Sequence, residues 1–199
     1  MNPVRSLLGV LLFGIVLGGT GCGLFETRTP EEPEQTSSNY QAPTDASIVF
    51  ENMKSAFQDL NTVNYVKSFA DSTTTSLDFS FEPSPAGRSR FAALFQVWDR
   101  SMEQQYFENL KSRLPAGSVP SLVLSIDRET ISVDSTLVEA TYQLTVPHQQ
   151  TSFPQTARGR AQFTLRLDQG GYWYITRWID LANAQNDFTW SEMKGEFAQ

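Results

Sequence analysis

The sequence predicts an α+β domain in which helices cover one face of an antiparallel sheet. Apolar residues recur at helical spacing between residues 45 and 113, and between Ser121 and Leu181 most of them alternate with polar residues. Short strands joined by hairpins form an antiparallel sheet, whose apolar face needs a cover that the preceding helices can supply. The chain has 199 residues, which is enough for one core of this kind plus extensions.

Two helices are predicted at the start of the domain. The first begins at Thr44 or Asp45, which are suitable N-cap residues, and its apolar face holds Val49, Met53, Ala56, Phe57 and Leu60. A short second helix follows Asn61 and Thr62. The serine and threonine run at 72–76 is expected to end it.

A strand and a longer helix are predicted next. Leu77, Phe79 and Phe81 alternate with polar residues, which indicates a half-buried strand, and the prolines and glycine at 83–87 then break the chain. An uninterrupted third helix is expected over 89–113, because its large side chains fall on one stripe: Phe91, Phe95, Trp98, Met102, Tyr106 and Leu110.

The remaining strands follow in close succession. Alternation begins at Ser121, and a change of phase near Arg128 to Thr130 predicts a turn or a bulge there. Further strands are predicted at 138–146 and 157–167, and the glycines after Asp168 indicate a hairpin turn. The last strand, 172–181, has apolar residues on both parities, so we expect it to be central or covered on both sides.

A short closing helix is predicted near the end of the chain. Thr189 and Glu192 have the spacing of a capping box, and Phe188 and Met193 occupy the positions of a hydrophobic staple. An alternative function for this segment is a mobile lid formed by Phe188 and Trp190.

Composition excludes several classes of protein. With 22 acidic against 15 basic residues the net charge is −7, which argues against a partner whose phosphates must be neutralised, so no nucleic acid is expected. One cysteine excludes an intramolecular disulfide and a thiolate zinc cluster, and one histidine removes most histidine-based metal sites. We therefore expect neither a metal nor a cofactor.

The N-terminus has the pattern of an exported protein. Arg5 precedes an uncharged apolar run from Ser6 that continues through small residues to Gly21 and is too short for a transmembrane helix. The residues LGGTGC at 17–22 resemble the lipobox of bacterial lipoproteins, whose cysteine is lipidated and becomes the mature N-terminus. The resemblance implies a signal peptide at 1–21 and a lipid anchor on Cys22.

The expected location follows from this resemblance. Gly23 is not the aspartate associated with retention in the inner membrane, which implies the periplasmic face of the outer membrane in a host with two membranes. Residues 22–44, rich in proline and glutamate, are predicted to be the lipidated cysteine and a disordered linker, which leaves 45–199 as the folded domain.

The predicted order of elements resembles the nuclear transport factor 2-like superfamily, in which a curved antiparallel sheet wraps around N-terminal helices to form a cone. The segment WYITRWID at 173–180 is similar to the end of the last strand in small bacterial envelope members, and FTWSEMK at 188–194 is similar to their C-terminal tail. The resemblance implies the fold of residues 45–199. It carries no functional residue over to this chain.

The candidate site residues are aromatic side chains and one acid. Trp98, Tyr106, Tyr142, Trp173, Trp178 and Asp180 could line a pocket inside the cone. Packing in the core is the favoured interpretation of the aromatic set. Asp180 lies between two apolar residues, and its favoured interpretation is a structural carboxylate that forms a hydrogen bond to a helix or turn. His148 follows a proline in a polar loop and is expected to be solvated.

Two functions remain open at this point. The favoured hypothesis is a non-enzymatic envelope lipoprotein that binds a small apolar molecule or an envelope protein, with a homodimer through the sheet as a further expectation. The alternative is a membrane-tethered acid/base enzyme of the isomerase or dehydratase type. The single histidine and the lack of a recognisable catalytic pair favour the first.

Overall fold

The computed structural model describes residues 39–199. The predicted signal peptide, Cys22 and most of the predicted linker lie outside the described residues. The end of that linker contacts the domain: the Asn52 amide exchanges two hydrogen bonds with the backbone of Gln41, at 2.7 and 2.9 Å, and the Trp173 N–H donates to the Pro43 carbonyl at 2.8 Å. In residues 39–199 there is no helix with both the length and the apolar character needed to cross a bilayer.

The two predicted N-terminal helices are confirmed. Helix α1 (Ala46–Gln58) begins at Asp45, whose carboxylate accepts a hydrogen bond from the Ser47 N–H at 2.8 Å. Helix α2 (Thr62–Val66) begins in the same way at Asn61. A single further turn, α3 (Ser72–Thr75), forms from the serine and threonine run because Asp71 caps it.

The prediction of one continuous helix over 89–113 is wrong. The structure has α4 (Pro85–Arg90), a 3₁₀ turn (Leu94–Gln96) and α5 (Arg100–Ser112). Helix α4 starts within the segment expected to break the chain, because Pro85 occupies its first turn after the Ser84 N-cap. Val97 is extended, and the Asp99 carboxylate accepts from the first amides of α5, so a new helix begins there.

Five strands form one curved sheet in the order β1-β5-β4-β3-β2. They are β1 (Ser80–Glu82), β2 (Ser121–Ile131), β3 (Ser135–Thr145), β4 (Thr156–Leu167) and β5 (Trp173–Leu181). Strands β2 to β5 are antiparallel neighbours, as predicted. Strand β1 departs from the prediction because it pairs parallel to β5, which it reaches from a distant part of the chain.

Two bulges account for irregularities in the alternation. Strand β2 continues through residue 127 with a shift of register between Ile126 and Arg128, so the predicted irregularity is a bulge and not a turn. At a second shift of register, Thr164 and Leu165 of β4 pair with Arg177 and Ile175 of β5, so Thr176 of β5 is the extra residue. This bulge explains why the last strand has apolar residues on both parities. Strand β5 lies between β1 and β4, as expected for a central strand.

The core lies between the concave face of the sheet and the helices. Buried aromatic side chains of α1, α2 and α5 pack together there, with the rings of Phe57 and Phe107 5.0 Å apart and those of Tyr65 and Phe107 4.3 Å apart. The predicted closing helix is confirmed as α6 (Trp190–Ala198), which contacts α4, α5 and β4. Helix α6 therefore fills the end of the core that the other helices leave uncovered.

Candidate functional site

A buried ion pair lies at the centre of the domain. The Lys194 ammonium of α6 donates to Glu103 Oε1 of α5, and both side chains are fully buried. The same oxygen accepts the Trp98 indole N–H at 2.8 Å, and Oε2 accepts the Tyr65 hydroxyl at 2.8 Å. The carboxylate is thus satisfied on both oxygens, as a buried charge requires.

Aromatic rings surround the lysine head group. The distance from Lys194 Nζ to the ring centroid is 3.8 Å for Trp178, 4.0 Å for Phe81, 5.3 Å for Trp98 and 5.7 Å for Tyr106. Ring faces attract a cation at these distances, most strongly where water is excluded. Glu103 and these four rings are called the ammonium cage below.

A second buried carboxylate holds the start of α6. Asp180 Oδ2 accepts the Ser191 backbone N–H at 2.7 Å and also its hydroxyl, and Oδ1 accepts the Tyr142 hydroxyl at 2.6 Å. The Tyr142 oxygen accepts in turn from the Trp190 backbone N–H at 2.8 Å. An acid at a helix N-terminus satisfies amides that have no partner within the helix.

Local sequence explains why α6 forms and where it docks. The predicted capping box is present, with the Thr189 N–H donating to Glu192 Oε2 at 2.9 Å. Two glycines allow close approach to α4: a Cβ on Gly87 would lie 2.5 Å from Cβ of Ser191, and one on Gly195 would lie 2.2 Å from a ring carbon of Phe91. Each glycine therefore lets the backbone of its helix contact a side chain of the other segment directly: Gly87 contacts Ser191, and Gly195 contacts Phe91.

The far end of α6 is held by α5. Arg113, which follows α5, donates to the carbonyls of Glu196 at 2.9 Å and Gln199 at 2.7 Å. These are carbonyls of the last turn, which lack partners inside the helix. Helix α6 is consequently anchored at both ends as well as through Lys194.

Burial shifts the titration of this cluster. It lowers the pKa of Lys194 to about 8, although the Glu103 carboxylate acts in the opposite direction. It raises the pKa of Asp180, against the hydrogen bonds from Ser191 and Tyr142. It also raises the pKa of the Tyr65, Tyr106 and Tyr142 hydroxyls well above the usual value, with Glu103 or Asp180 adding to the rise.

Five of the six residues predicted to line a pocket converge here: Trp98, Tyr106, Tyr142, Trp178 and Asp180 are all buried. Tyr106 joins the cluster by accepting the Trp190 indole N–H at 3.1 Å. Trp173 does not belong to the cluster, because it is only partly buried at the start of β5. The favoured reading of Asp180, a structural hydrogen bond to a helix, agrees with its contact to Ser191.

Sequence reasoning missed the two central residues, Glu103 and Lys194. Helical spacing could have found both: Glu103 lies three and four positions before Tyr106 and Phe107, and Lys194 lies four after Trp190. A charged residue on a stripe of buried positions is the available signal.

The prediction that His148 is solvated is wrong. The residue is 1% exposed, and its ring centroid lies 4.2 Å from that of Phe153 in the same loop and 5.7 Å from that of Phe197 in α6. The Gln155 side chain donates to the His148 carbonyl at 2.7 Å, which folds the loop back over the core. The local sequence is polar, but this long-range contact buries the imidazole.

Grooves are also present on the surface. One, of about 70 Å³, lies between α1 and the β2–β3 edge and includes Phe50, Leu124 and Ile126. It is small beside the few hundred Å³ typical of a ligand pocket. A larger and more polar one, of about 310 Å³, lies beside the N-terminus of α5, where Arg100 and Asp71 form a salt bridge at 3.1 Å.

No group of three or more potential metal ligands occurs in the part of the chain that the structure describes.

Comparison with known proteins shows the fold and no closer relationship. No family model matches the sequence, and no curated protein is significantly similar to it. A conserved protein from Planctomyces limnophilus is similar in structure with a TM-score of 0.53 and 12% identity, over 68% of this chain and 91% of that one. A protein from Novosphingobium aromaticivorans, proposed to be an aromatic ring hydroxylase, has a TM-score of 0.51 and 12% identity, over 77% and 93% of the two chains.

A third similar structure is a nuclear transport factor 2-like superfamily protein from Salmonella enterica, with a TM-score of 0.49 and 12% identity over 69% of this chain and 88% of that one. Identities this low concern the fold alone. The fold class predicted from the sequence, α+β with a curved sheet wrapped around helices, is confirmed by the five strands and their helical cover.

Proposed function

We propose that this chain is a membrane-anchored envelope lipoprotein whose folded domain is a non-enzymatic binding module. The apolar run and the LGGTGC segment ending at Cys22 support the anchor. The occupied interior of the domain supports the non-enzymatic role. We place the protein at the cell envelope, on the periplasmic face of the outer membrane in a host with two membranes.

One observation carries the non-enzymatic role: α6 occupies the interior of the domain. Trp190, Met193, Lys194 and Phe197 of this helix are fully buried among the other core residues. The oxygens of Glu103 already accept from Trp98, Tyr65 and Lys194, and those of Asp180 from Tyr142 and Ser191. A general acid or base must reach its substrate, and both carboxylates are committed to groups of the protein itself.

A specific feature favours the alternative, an acid/base enzyme. Lys194, with its pKa lowered to about 8 beside a carboxylate, has the character of an activated group. Such a group is accessible to substrate only if α6 leaves the interior. The helix is held at Asp180, at Glu103 and at Arg113, so the binding module is the function supported best.

Two measurements test the proposal. Metabolic labelling with a palmitate analogue in the native host should mark the wild-type chain and leave Cys22→Ser unlabelled, since Cys22 is the single cysteine of the sequence. Equal labelling of both would contradict the anchor. Native mass spectrometry of the protein purified from its host should show the chain with a bound protein, or with a small molecule that the chain leaves chemically unchanged. A retained small molecule that the protein converts on incubation would contradict the non-enzymatic role.

A further inference from the structure

The ammonium cage has the composition of a site that recognises an organic cation. Its walls are ring faces, two of them within about 4 Å of the bound nitrogen, and its floor is one carboxylate. Aromatic cages of this kind bind alkylammonium groups because the ring faces attract the cation while the apolar surface excludes water. In this protein the cation is supplied by the chain's own Lys194.

The anionic side of the cage is fixed by residues outside α6. The Glu103 side chain is held by the Trp98 indole, which lies just before α5, and by the Tyr65 hydroxyl of α2. Removal of the lysine would therefore leave the carboxylate in position with an unpaired negative charge. An unpaired buried charge is costly, so the vacant cage would favour any cation that fits.

We propose that the ammonium cage is a binding site for a small primary alkylammonium ion, which α6 occupies with Lys194. The inference goes beyond the proposed function and is independent of it, because it concerns the chemistry of the interior and neither the anchor nor catalysis.

The size of the ligand follows from the lysine. Replacing Lys194 by alanine removes three methylene carbons and the ammonium, which together correspond to n-propylammonium. The matched neutral molecule is n-propanol, which has a similar volume and no charge. The two probes separate recognition of a cation from the filling of an apolar cavity.

The test is thermal unfolding of the full chain carrying Lys194→Ala, at pH 7 and constant ionic strength. We expect n-propylammonium chloride to raise the melting temperature in proportion to the logarithm of its concentration above the dissociation constant, by about 5 °C or more at a hundredfold excess. We expect n-propanol to have no such effect. Wild type should not respond to the amine, since its cage is filled, and Lys194→Ala with Glu103→Gln should lose the response.

Three results would overturn the proposal: an equal effect of n-propanol, an equal effect of the amine on wild type, or no effect of the amine on Lys194→Ala. If Lys194→Ala does not fold by itself, the readout becomes the yield of folded protein on dilution from urea. Refolding that occurs with n-propylammonium and fails with n-propanol supports the site. Failure with both contradicts it.

Discussion

Asp180 on the last strand holds the first turn of the C-terminal helix through Ser191, with the carboxylate accepting both the backbone N–H, at 2.7 Å, and the hydroxyl. The two residues are close in sequence, but the contact joins the sheet to the element that closes the core. A turn of helix buried in this way needs a partner for its free amides, and the carboxylate provides it.

Replacing Asp180 by asparagine should destabilise the domain. The amide can accept one hydrogen bond from Tyr142, but its NH₂ group would face the Ser191 N–H, donor against donor. We expect a loss of about 1–3 kcal/mol in the free energy of unfolding, measured with urea. Asp78→Asn is the matched control, because Asp78 is an exposed acid near β1, and it should change stability by less than about 0.5 kcal/mol. Equal stability of Asp180→Asn and wild type would contradict the structural role.

The ion pair between Glu103 and Lys194 should show strong coupling. Glu103→Gln and Lys194→Met each leave one buried charge without its partner, and each should cost about 3–5 kcal/mol. The double variant should be more stable than the sum of the two losses predicts, because neither charge remains. A double-mutant cycle from urea unfolding measures this.

A surface pair provides the comparison. Lys111 and Glu108 lie 3.9 Å apart on the exposed side of α5, and a cycle on them should give a coupling below about 1 kcal/mol. Additive losses for the buried pair, with a coupling as small as that of the surface pair, would show that the buried charges do not interact as described.

The lowered pKa of Lys194 predicts a pH dependence of stability. Its pKa is about 8 in the folded chain and near 10.5 when unfolded, so the unfolded chain binds more protons between these values. The folded chain disfavours the charged form of Lys194. The stability contributed by this residue is therefore highest above about pH 10.5, where the lysine is neutral in both states, and it falls as pH decreases until the loss is complete below about pH 8. As pH rises from 8 to 10.5, the free energy of unfolding of wild type should increase by roughly 1 kcal/mol per pH unit relative to that of Lys194→Met. A difference that is constant from pH 7.5 to 10.5 would contradict the lowered pKa.

The close approach of α6 to α4 depends on Gly195. Alanine is the better helix former by about 1 kcal/mol, but its Cβ would lie 2.2 Å from the Phe91 ring. We expect Gly195→Ala to lower stability and to loosen α6, detected by faster proteolysis near the C-terminus. Truncating the ring should relieve the clash, so Gly195→Ala with Phe91→Ala should lose less than the two single variants together. A gain in stability for Gly195→Ala would show that the helices are not packed this closely.

Much of the fold could be predicted from the sequence because local signals and tertiary structure agree in it. Strands β3 and β4 alternate strictly, and their buried positions follow that alternation. The capping box at Thr189 predicted α6, since both partners lie within one turn. The same reasoning failed at 89–113. Aromatic residues at helical spacing there predicted one helix, although the chain is extended at Val97 and a new helix begins after the N-cap Asp99.

The site was less accessible to prediction. Asp180 was identified as a buried acid because apolar neighbours flank it on a strand. Glu103 and Lys194 each lie on the buried stripe of a helix, but they are 91 positions apart in sequence, and no local pattern pairs one with the other. Their burial depends on how α6 packs against α5, which is a long-range property. His148 was misjudged for the same reason, because Phe197 comes from the distant end of the chain.

The central claim is that α6 is a permanent part of the core, and hydrogen exchange of its backbone amides tests this most directly. Residues 193–198 should exchange as slowly as the central strands β3 and β4, because the helix is anchored at Asp180, Glu103 and Arg113 and should open only with the whole domain. Rapid exchange of α6, with β3 and β4 still protected, would show that the helix leaves the interior in the native state and would contradict the account.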